Sequence, residues 1–293
     1  MGRIFGLKRF EIHDGDGIRT TLFLKGCPLK CMWCHNPEGI GHESMLAVYP
    51  NACEKCGACR SACPSGAHVI ENGVHTFLRE KCLYCGACES ACANDAVRLY
   101  GKEVTAREIL PKLLEDRMFY GETGGVTLSG GEPLLQADFC FEILCLLKKE
   151  GIHTAVDTCG LVQWSAFEKI LAYTDLFLFD VKCASSELHE KLTGAKNDLI
   201  LANLRKLDAC GKRIEVRIPL IPGMNDSEMP EIGGLLSSLK SLSRVKVLGY
   251  HNLAKDKYEA LGLAYPMKEQ GPAEKAQVEE VVTLFRNMNL PAE

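Results

Sequence analysis

Three cysteines, Cys27, Cys31 and Cys34, stand at C-x₃-C-x₂-C spacing directly after an apolar run at residues 21–24. Iron–sulfur cubes usually take four thiolates. Three thiolates leave one iron open, and three protein ligands plus an open position are the signature of a catalytic metal site. Eight further cysteines form two runs. Cys53, Cys56, Cys59 and Cys63, followed by Pro64, make C-x₂-C-x₂-C-x₃-C-P; Cys82, Cys85, Cys88 and Cys92 repeat it about 29 residues later, with Ala93 in place of the proline. In such pairs the fourth cysteine serves the other cluster. One cube is therefore expected on Cys53, Cys56, Cys59 and Cys92, and the other on Cys82, Cys85, Cys88 and Cys63. Gly57, Ala58, Gly86 and Ala87 are small enough for backbone N–H groups to approach the sulfurs. Two other readings stand beside this one: a pair of Cys₄ zinc knots, and cubes that serve only the fold. The crossing x₂-x₂-x₃ pattern argues against zinc.

Polar residues at the ends of apolar runs add to the set. "TLSGGEP" (127–133), "DTCG" (157–160) and "FDVK" (179–182) each close a short apolar segment. Asp157, Asp180 and Lys182 thus fall at successive strand ends. A single Asp or Lys there is commonly a solvated loop charge; three in succession point to a site. Cys140, Cys145, Cys159, Cys183 and Cys210 lack ligand spacing, and free cysteine commonly packs as a small hydrophobe. "HNLAKDKYEALG" (251–262) reads as a solvated face.

The elements that position these residues follow from periodicity. Strands are expected at 21–25, 126–129, 153–157, 176–181, 213–219 and 244–249, short and apolar or β-branched as buried parallel strands are. Helical patterns lie between and after them: 105–120 with Pro111 inside, 133–151, 163–173, 186–193, 198–211, 228–241 and 272–289. Six such β/α units suggest a parallel barrel or part of one, with active-site residues at the C-terminal strand ends. Residues 49–98, rich in Cys, Ala and Gly, read as a small cluster-held module inserted into the larger domain.

Composition sets the bounds. Hydrophobic residues make up 46% and charged residues 25% of 293, enough to fill a core, and the net charge of −4 shows no nucleic-acid footprint. No leader pattern and no membrane-length apolar run is seen. Sixteen cysteines in a long leaderless chain read as metal ligands rather than disulfides.

The three-cysteine motif after a first strand, with Trp33 just before Cys34, resembles the radical S-adenosylmethionine (SAM) enzymes. Within them, "DGDGIRTTLFLKGCPLKCMWCHNPE" (14–38) is similar to the signature of glycyl-radical-enzyme activating enzymes, with Asp16 where proline is usual. "VRIPLIPGMND" (216–226) and "GYHNLAKDKY" (249–258) resemble later family segments. The insert at 49–98 is similar to that of the activators with two extra clusters. The resemblance implies an α/β fold, a partial (β/α)₆ TIM-like radical SAM barrel at 1–48 and 99–293 with an inserted ferredoxin-like 2[4Fe-4S] domain at 49–98. It implies three [4Fe-4S] clusters, with SAM bound to the open iron and, as in the formate-lyase activator, a monovalent cation near Asp157, Thr158 and Asp180. Trp33, Cys34 and His35 would line the SAM side of the cluster. Gly131 and Glu132 would meet the SAM amino group, Asp180, Val181 and Lys182 would touch SAM, and Arg217 would be a further active-site residue. The implied reaction is reductive cleavage of SAM and hydrogen-atom abstraction from a glycine Cα of a partner glycyl radical enzyme. A flavodoxin or ferredoxin would supply the electron in an anaerobic cytoplasm, without nucleic acid or membrane. Two rivals are a radical SAM enzyme acting on another peptide or small molecule, and a ferredoxin-like electron carrier without chemistry.

Overall fold

Runs of Val, Leu, Phe and Thr build the centre of the molecule, which the computed structural model describes over residues 1–293. Along the chain the strands are β1 (Gly2–Glu11), β2 (Arg19–Leu24), β3 (Met45–Val48), β4 (His68–Glu71), β5 (Val74–Phe77), β6 (Val97–Tyr100), β7 (Lys102–Val104), β8 (Gly125–Gly130), β9 (His153–Thr158), β10 (Leu176–Asp180), β11 (Ile214–Leu220) and β12 (Leu242–Gly249). The main sheet runs β12-β11-β10-β9-β8-β2-β1-β7. Six neighbours, β2 and β8 to β12, pair in parallel. They coincide with the six expected strands to within two residues at each end. Strands β2, β8 and β10 are buried at nearly every position, as strands covered on both faces must be.

The edge pair β1 and β7 is antiparallel and was not expected. "GRIFGLKRFE" mixes charge with apolar residues because much of β1 is half-exposed, which blurs any period.

Helices α1 (Ala58–Ala62) and α2 (Ala87–Ser90) belong to the cysteine-rich segment. The barrel helices are α3 (Ala106–Leu114), α4 (Ala137–Lys149), α5 (Trp164–Ile170), α6 (Ser186–Thr193), α7 (Asp198–Ala209), α8 (Met229–Leu236), α9 (Lys255–Leu261) and α10 (Lys275–Asn287). Their starts are chemically marked. Thr105 accepts from the Glu108 N–H at 3.2 Å while Glu108 accepts from the Thr105 N–H at 2.8 Å, a capping box. Helix α3 stops three residues past Pro111, and a 3₁₀ turn at Arg117–Phe119 takes up part of the remaining expected span. Helix α9 corrects the reading of 251–262 as a solvated face. Tyr258, Ala260 and Leu261 are buried.

The cysteine-rich segment is flanked by the antiparallel pair β3–β6 and contains the hairpin β4–β5. Its repeat is visible in the backbone. Lys55 and Tyr84, Gly57 and Gly86, and Gly66 and Asp95 form three pairs at the same separation, all with positive φ. Each run therefore makes the same left-handed turns around its thiols. The hairpin turns at Asn72 and Gly73, φ +49° and +73°, as a two-residue turn with two left-handed residues demands.

Candidate active site and cluster sites

Strand ends β2 and β8 approach each other through backbone alone. The Gly131 N–H donates to the Leu24 carbonyl at 2.9 Å and the Glu132 N–H to the Gly26 carbonyl at 2.7 Å. A Cβ on Gly130 would overlap the Leu24 carbonyl, and one on Gly131 the Gly26 carbonyl. The two glycines of "GGE" are therefore required by close approach. The loop that follows β2 is pinned along its length: the Lys30 N–H donates to the Thr193 carbonyl at 2.7 Å and the Met32 N–H to the Leu192 carbonyl at 3.0 Å. Trp33 packs with Ile221, Tyr250, Tyr258 and Tyr265.

This loop and the six strand ends enclose a cavity of about 510 Å³. Cys27, Cys31, Trp33, Cys34 and His35 line it from the loop after β2, and Gly131 from β8. Asp157, Thr158 and Cys159 enter from β9, Asp180 and Lys182 from β10, Arg217 from β11, and residues 247–251 from β12 and just beyond. Two residues expected at SAM do not line it. Val181 is buried, and its N–H donates to the Arg217 carbonyl at 3.0 Å. Glu132 is fully buried beneath the floor, where its carboxylate accepts from Thr158 Oγ1 at 2.8 and 2.9 Å, the Cys159 N–H at 2.8 Å and the Leu134 N–H at 3.0 Å. Burial raises the Glu132 pKa, and these bonds oppose the rise. As placed, Glu132 positions the β9 end.

Charge in the cavity is paired. Burial pulls the Lys182 ammonium down, yet Asp180, at 2.6 Å, and Cys31 outweigh it and the net shift is upward. Arg217 lies between Asp14 at 3.3 Å and Asp157 at 3.4 Å. Its Nε is buried without a partner, a donor that a bound anionic group would satisfy. Burial pushes the Asp157 carboxyl to about 7 against the pull of Arg217, with Asp180 and Asp14 adding repulsion.

Burial also lifts the Cys31 thiol to about 11 and the Cys34 thiol to about 12. Holding both as thiolates calls for a cationic centre, which deprotonates a coordinating thiol. The donor set fits an iron–sulfur cluster with one iron unligated by protein. Cys159, set aside in the sequence as non-ligand, is a fourth thiol lining this cavity, near enough to Cys27 for the two thiols to influence each other. Its neighbour Asp157 was the only signal for it. Cys140 is the core residue expected, its Sγ on the Pro133 carbonyl at 3.1 Å. His251 lines the cavity with its ring 4.1 Å from that of His35, and burial with this neighbour lowers the His35 pKa to about 4.

Lys257 of α9 was missed. Its Nζ meets Glu38 Oε1 at 2.6 Å, Asn36 Oδ1 at 2.9 Å and the His35 carbonyl at 3.0 Å, clamping the chain just after Cys34.

In the cysteine-rich segment, Cys53, Cys56, Cys59 and Cys92 line a single pocket of about 210 Å³. Cys88 lies within Coulombic reach of Cys82 and Cys63, and Cys82 of Cys85. Four thiols from both runs in one small pocket fit a cube. Backbone N–H groups also face sulfur: Tyr84 to Cys82 at 3.3 Å and Ala67 to Cys63 at 3.2 Å.

The radical SAM superfamily model matches residues 77–236, and a 4Fe-4S dicluster domain model matches 52–97. The chain belongs to the radical SAM superfamily. It is 41% identical to the trans-4-hydroxy-L-proline dehydratase activating enzyme of Clostridioides difficile, over 98% of this chain and 96% of that one. It is 40% identical to the choline trimethylamine-lyase activating enzyme of Oleidesulfovibrio alaskensis, again over 98% and 96%. The chain belongs to the glycyl-radical-enzyme activating enzymes. Among solved structures, a domain of pyruvate-formate lyase-activating enzyme from Bacteroides vulgatus is 28% identical with a TM-score of 0.50. It covers 58% of this chain and 98% of that one. This radical SAM activase thus uses SAM cleavage to place a radical on a glycyl radical enzyme. No helix is long and apolar enough to cross a membrane.

Proposed function

We propose that the activase carries three [4Fe-4S] clusters and performs its radical chemistry at Cys27, Cys31 and Cys34, with SAM in the 510 Å³ cavity. The observation that carries this is the convergence of three thiols and six strand ends on one cavity. Bound there, the cluster would supply one electron to the SAM sulfonium and so generate the hydrogen-abstracting radical. The chain's own residues bind and orient. Cys27, Cys31 and Cys34 would hold the cluster and leave one iron free of protein ligands for SAM. Gly131 offers backbone beside them. Arg217 Nε and the Lys182 ammonium are the cationic donors for a carboxylate. Trp33 and His35 wall the cluster side, and Thr158 is oriented by Glu132. A monovalent cation near Asp157, Thr158 and Asp180 belongs to the same reading, because it would relieve the repulsion between the two carboxylates.

Residues 1–48 and 99–293 form the catalytic unit in this reading, and 49–98 the cluster module. The module's cubes take Cys53, Cys56, Cys59 and Cys92, and Cys82, Cys85, Cys88 and Cys63. A flavodoxin or ferredoxin in an anaerobic cytoplasm supplies the electron. The partner's glycine loop enters along the open side of the barrel, between His13 and residues 247–251. Cys31→Ser tests the assignment. The variant should lose cleavage of SAM to 5′-deoxyadenosine while iron and sulfide counting still finds two cubes. Cleavage at the wild-type rate would overturn it.

A further inference from the structure

Two histidines stand beside the first module cluster, outside any ligand set considered above. His68 is buried on β4, and His75 lies across the hairpin on β5. His75 Nδ1 is 3.4 Å from Cys53 Sγ, and His75 Nε2 is 2.9 Å from His68 Nδ1. Cys59 Sγ is 3.8 Å from His75 Nε2. The far nitrogen of the second ring, His68 Nε2, is buried and has no partner.

The proton positions follow from what each alternative costs. If His75 Nε2 donated to His68 Nδ1, the neutral His68 would carry its proton on Nε2, a buried donor with nothing to accept it. His75 would then turn the bare lone pair of Nδ1 toward the Cys53 sulfur. Both features are unfavourable, since a buried donor without an acceptor keeps its full desolvation penalty and a lone pair facing a thiolate is repelled. In the other arrangement His68 Nδ1–H donates to His75 Nε2, which fixes the His75 proton on Nδ1, aimed at Cys53. Only the acceptor lone pair of His68 Nε2 is left unpartnered, and the His75 Nε2 lone pair, taken up by the His68 N–H, faces Cys59 Sγ only at the longer 3.8 Å. A ring's second nitrogen commonly sets its tautomer in this way.

We propose that His75 donates an N–H···S hydrogen bond to the Cys53 sulfur of the first module cluster, with its tautomer locked by His68, and thereby raises that cluster's reduction potential. Hydrogen bonds to the sulfurs are one of the levers on the potential of a cube. Such a bond withdraws charge from the thiolate, so the reduced, more negative cluster gains more from it than the oxidised one. This makes the first module cluster a better electron acceptor than its thiol set alone would. The proposal rests on the ligand set Cys53, Cys56, Cys59 and Cys92.

The test is a redox titration of the anaerobically reconstituted full chain, followed by electron paramagnetic resonance, with added SAM used to mark the signal of the SAM-binding cluster. His75→Phe should retain all three cubes by iron counting and move one SAM-insensitive potential in the negative direction. His75→Gln, which can still present an N–H, should restore much of the wild-type value. His68→Phe removes no side-chain hydrogen bond to a sulfur and should shift the same potential the same way by a smaller amount. Should a variant fold poorly, pulsed resonance on the wild-type protein still decides: a weak nitrogen coupling on a module signal is expected. Unchanged potentials in fully loaded His75→Phe would overturn the proposal, as would the strong coupling of a direct iron–nitrogen bond. A wild-type protein one cube short would instead bring down the ligand set, and the proposal with it; iron counting separates that failure from the others.

Discussion

A methyl group on Gly131 would press on the carbonyls of Gly26 and Gly39, the backbone that leads into Cys27. The hydrogen bonds from Gly131 and Glu132 to Leu24 and Gly26 hold those strand ends too tightly to yield cheaply. Gly131→Ala should therefore cost about 1–3 kcal/mol of stability, the usual range for overpacking. It should also weaken SAM binding to the reconstituted protein, because Cys27 moves with the strand end. Thermal melts and equilibrium binding check the two effects. Undiminished stability and binding would mean that the close approach is not needed. At this scale the gathering of Cys27, Cys31 and Cys34 with the strand-end residues Asp157, Asp180 and Lys182 was legible, because their types and spacing are local, whereas Arg217 came from the family resemblance alone. Glu132 was legible in identity but not in direction. Whether its carboxylate faces SAM or the Thr158 hydroxyl depends on a contact 26 residues away. Cys159 and Lys257 were hidden for the same reason, since each meets a neighbour distant in the chain.

Among the elements, the loop between β1 and β2 and helix α9 bear most on the site. The loop carries Asp16, where the family usually has proline. Its carboxylate bridges Arg213 at 2.6 Å and Arg244 at 3.0 Å, beside β11 and on β12. Lys246 Nζ reaches the His13 carbonyl at 3.4 Å. The loop thereby straps the β2 side of the open sheet to its far edge. Burial works against ionisation of Asp16, but the two arginines outweigh it and the pKa is lowered. An acid with a depressed folded pKa contributes stability above its unfolded value, near 3.9, and loses it as pH falls through the folded value. Asp16→Ala should cost about 1 kcal/mol at pH 7, a partly exposed pair being modest. The difference from wild type should begin to shrink below about pH 4 and close as pH falls through the depressed folded value. A deficit in melting temperature that did not shrink as pH fell below about 4 would contradict the ionic origin. For α9, Lys257→Ala leaves the buried Glu38 carboxylate without its ion-pair partner and frees the His35 carbonyl. A loss of about 2 kcal/mol is expected from charged hydrogen bonds, with faster loss of the SAM-binding cluster on dilution than of the module clusters. Equal loss rates for all clusters would separate Lys257 from the Cys34 loop. The six parallel strands were legible from short apolar runs, whereas α9 was not. Only one of its faces is buried, and its exposed charges dominate the string "LAKDKYEALG".

At the scale of the molecule, the same helix ties the two cluster regions together. Arg79 of the module donates to the Ala260 carbonyl of α9 and to the Leu46 carbonyl of β3, each at 2.8 Å. Tyr49 and Tyr100 join hydroxyls at 2.7 Å where the module leaves the barrel. Module, α9 and Cys34 loop thus form one connected body. Two relatives of 40–41% identity are named for different lyase or dehydratase partners. What this chain shares with them is the family, and in the proposed reading the partner is selected at the open barrel side. The most direct test of the whole account is an anaerobic incubation of the reconstituted protein with SAM, reductant and candidate glycyl radical enzymes, read by electron paramagnetic resonance. The account predicts a glycine-centred doublet with the matching partner and none when Cys31→Ser replaces the wild type. A doublet of equal strength from the Cys31→Ser protein would contradict it.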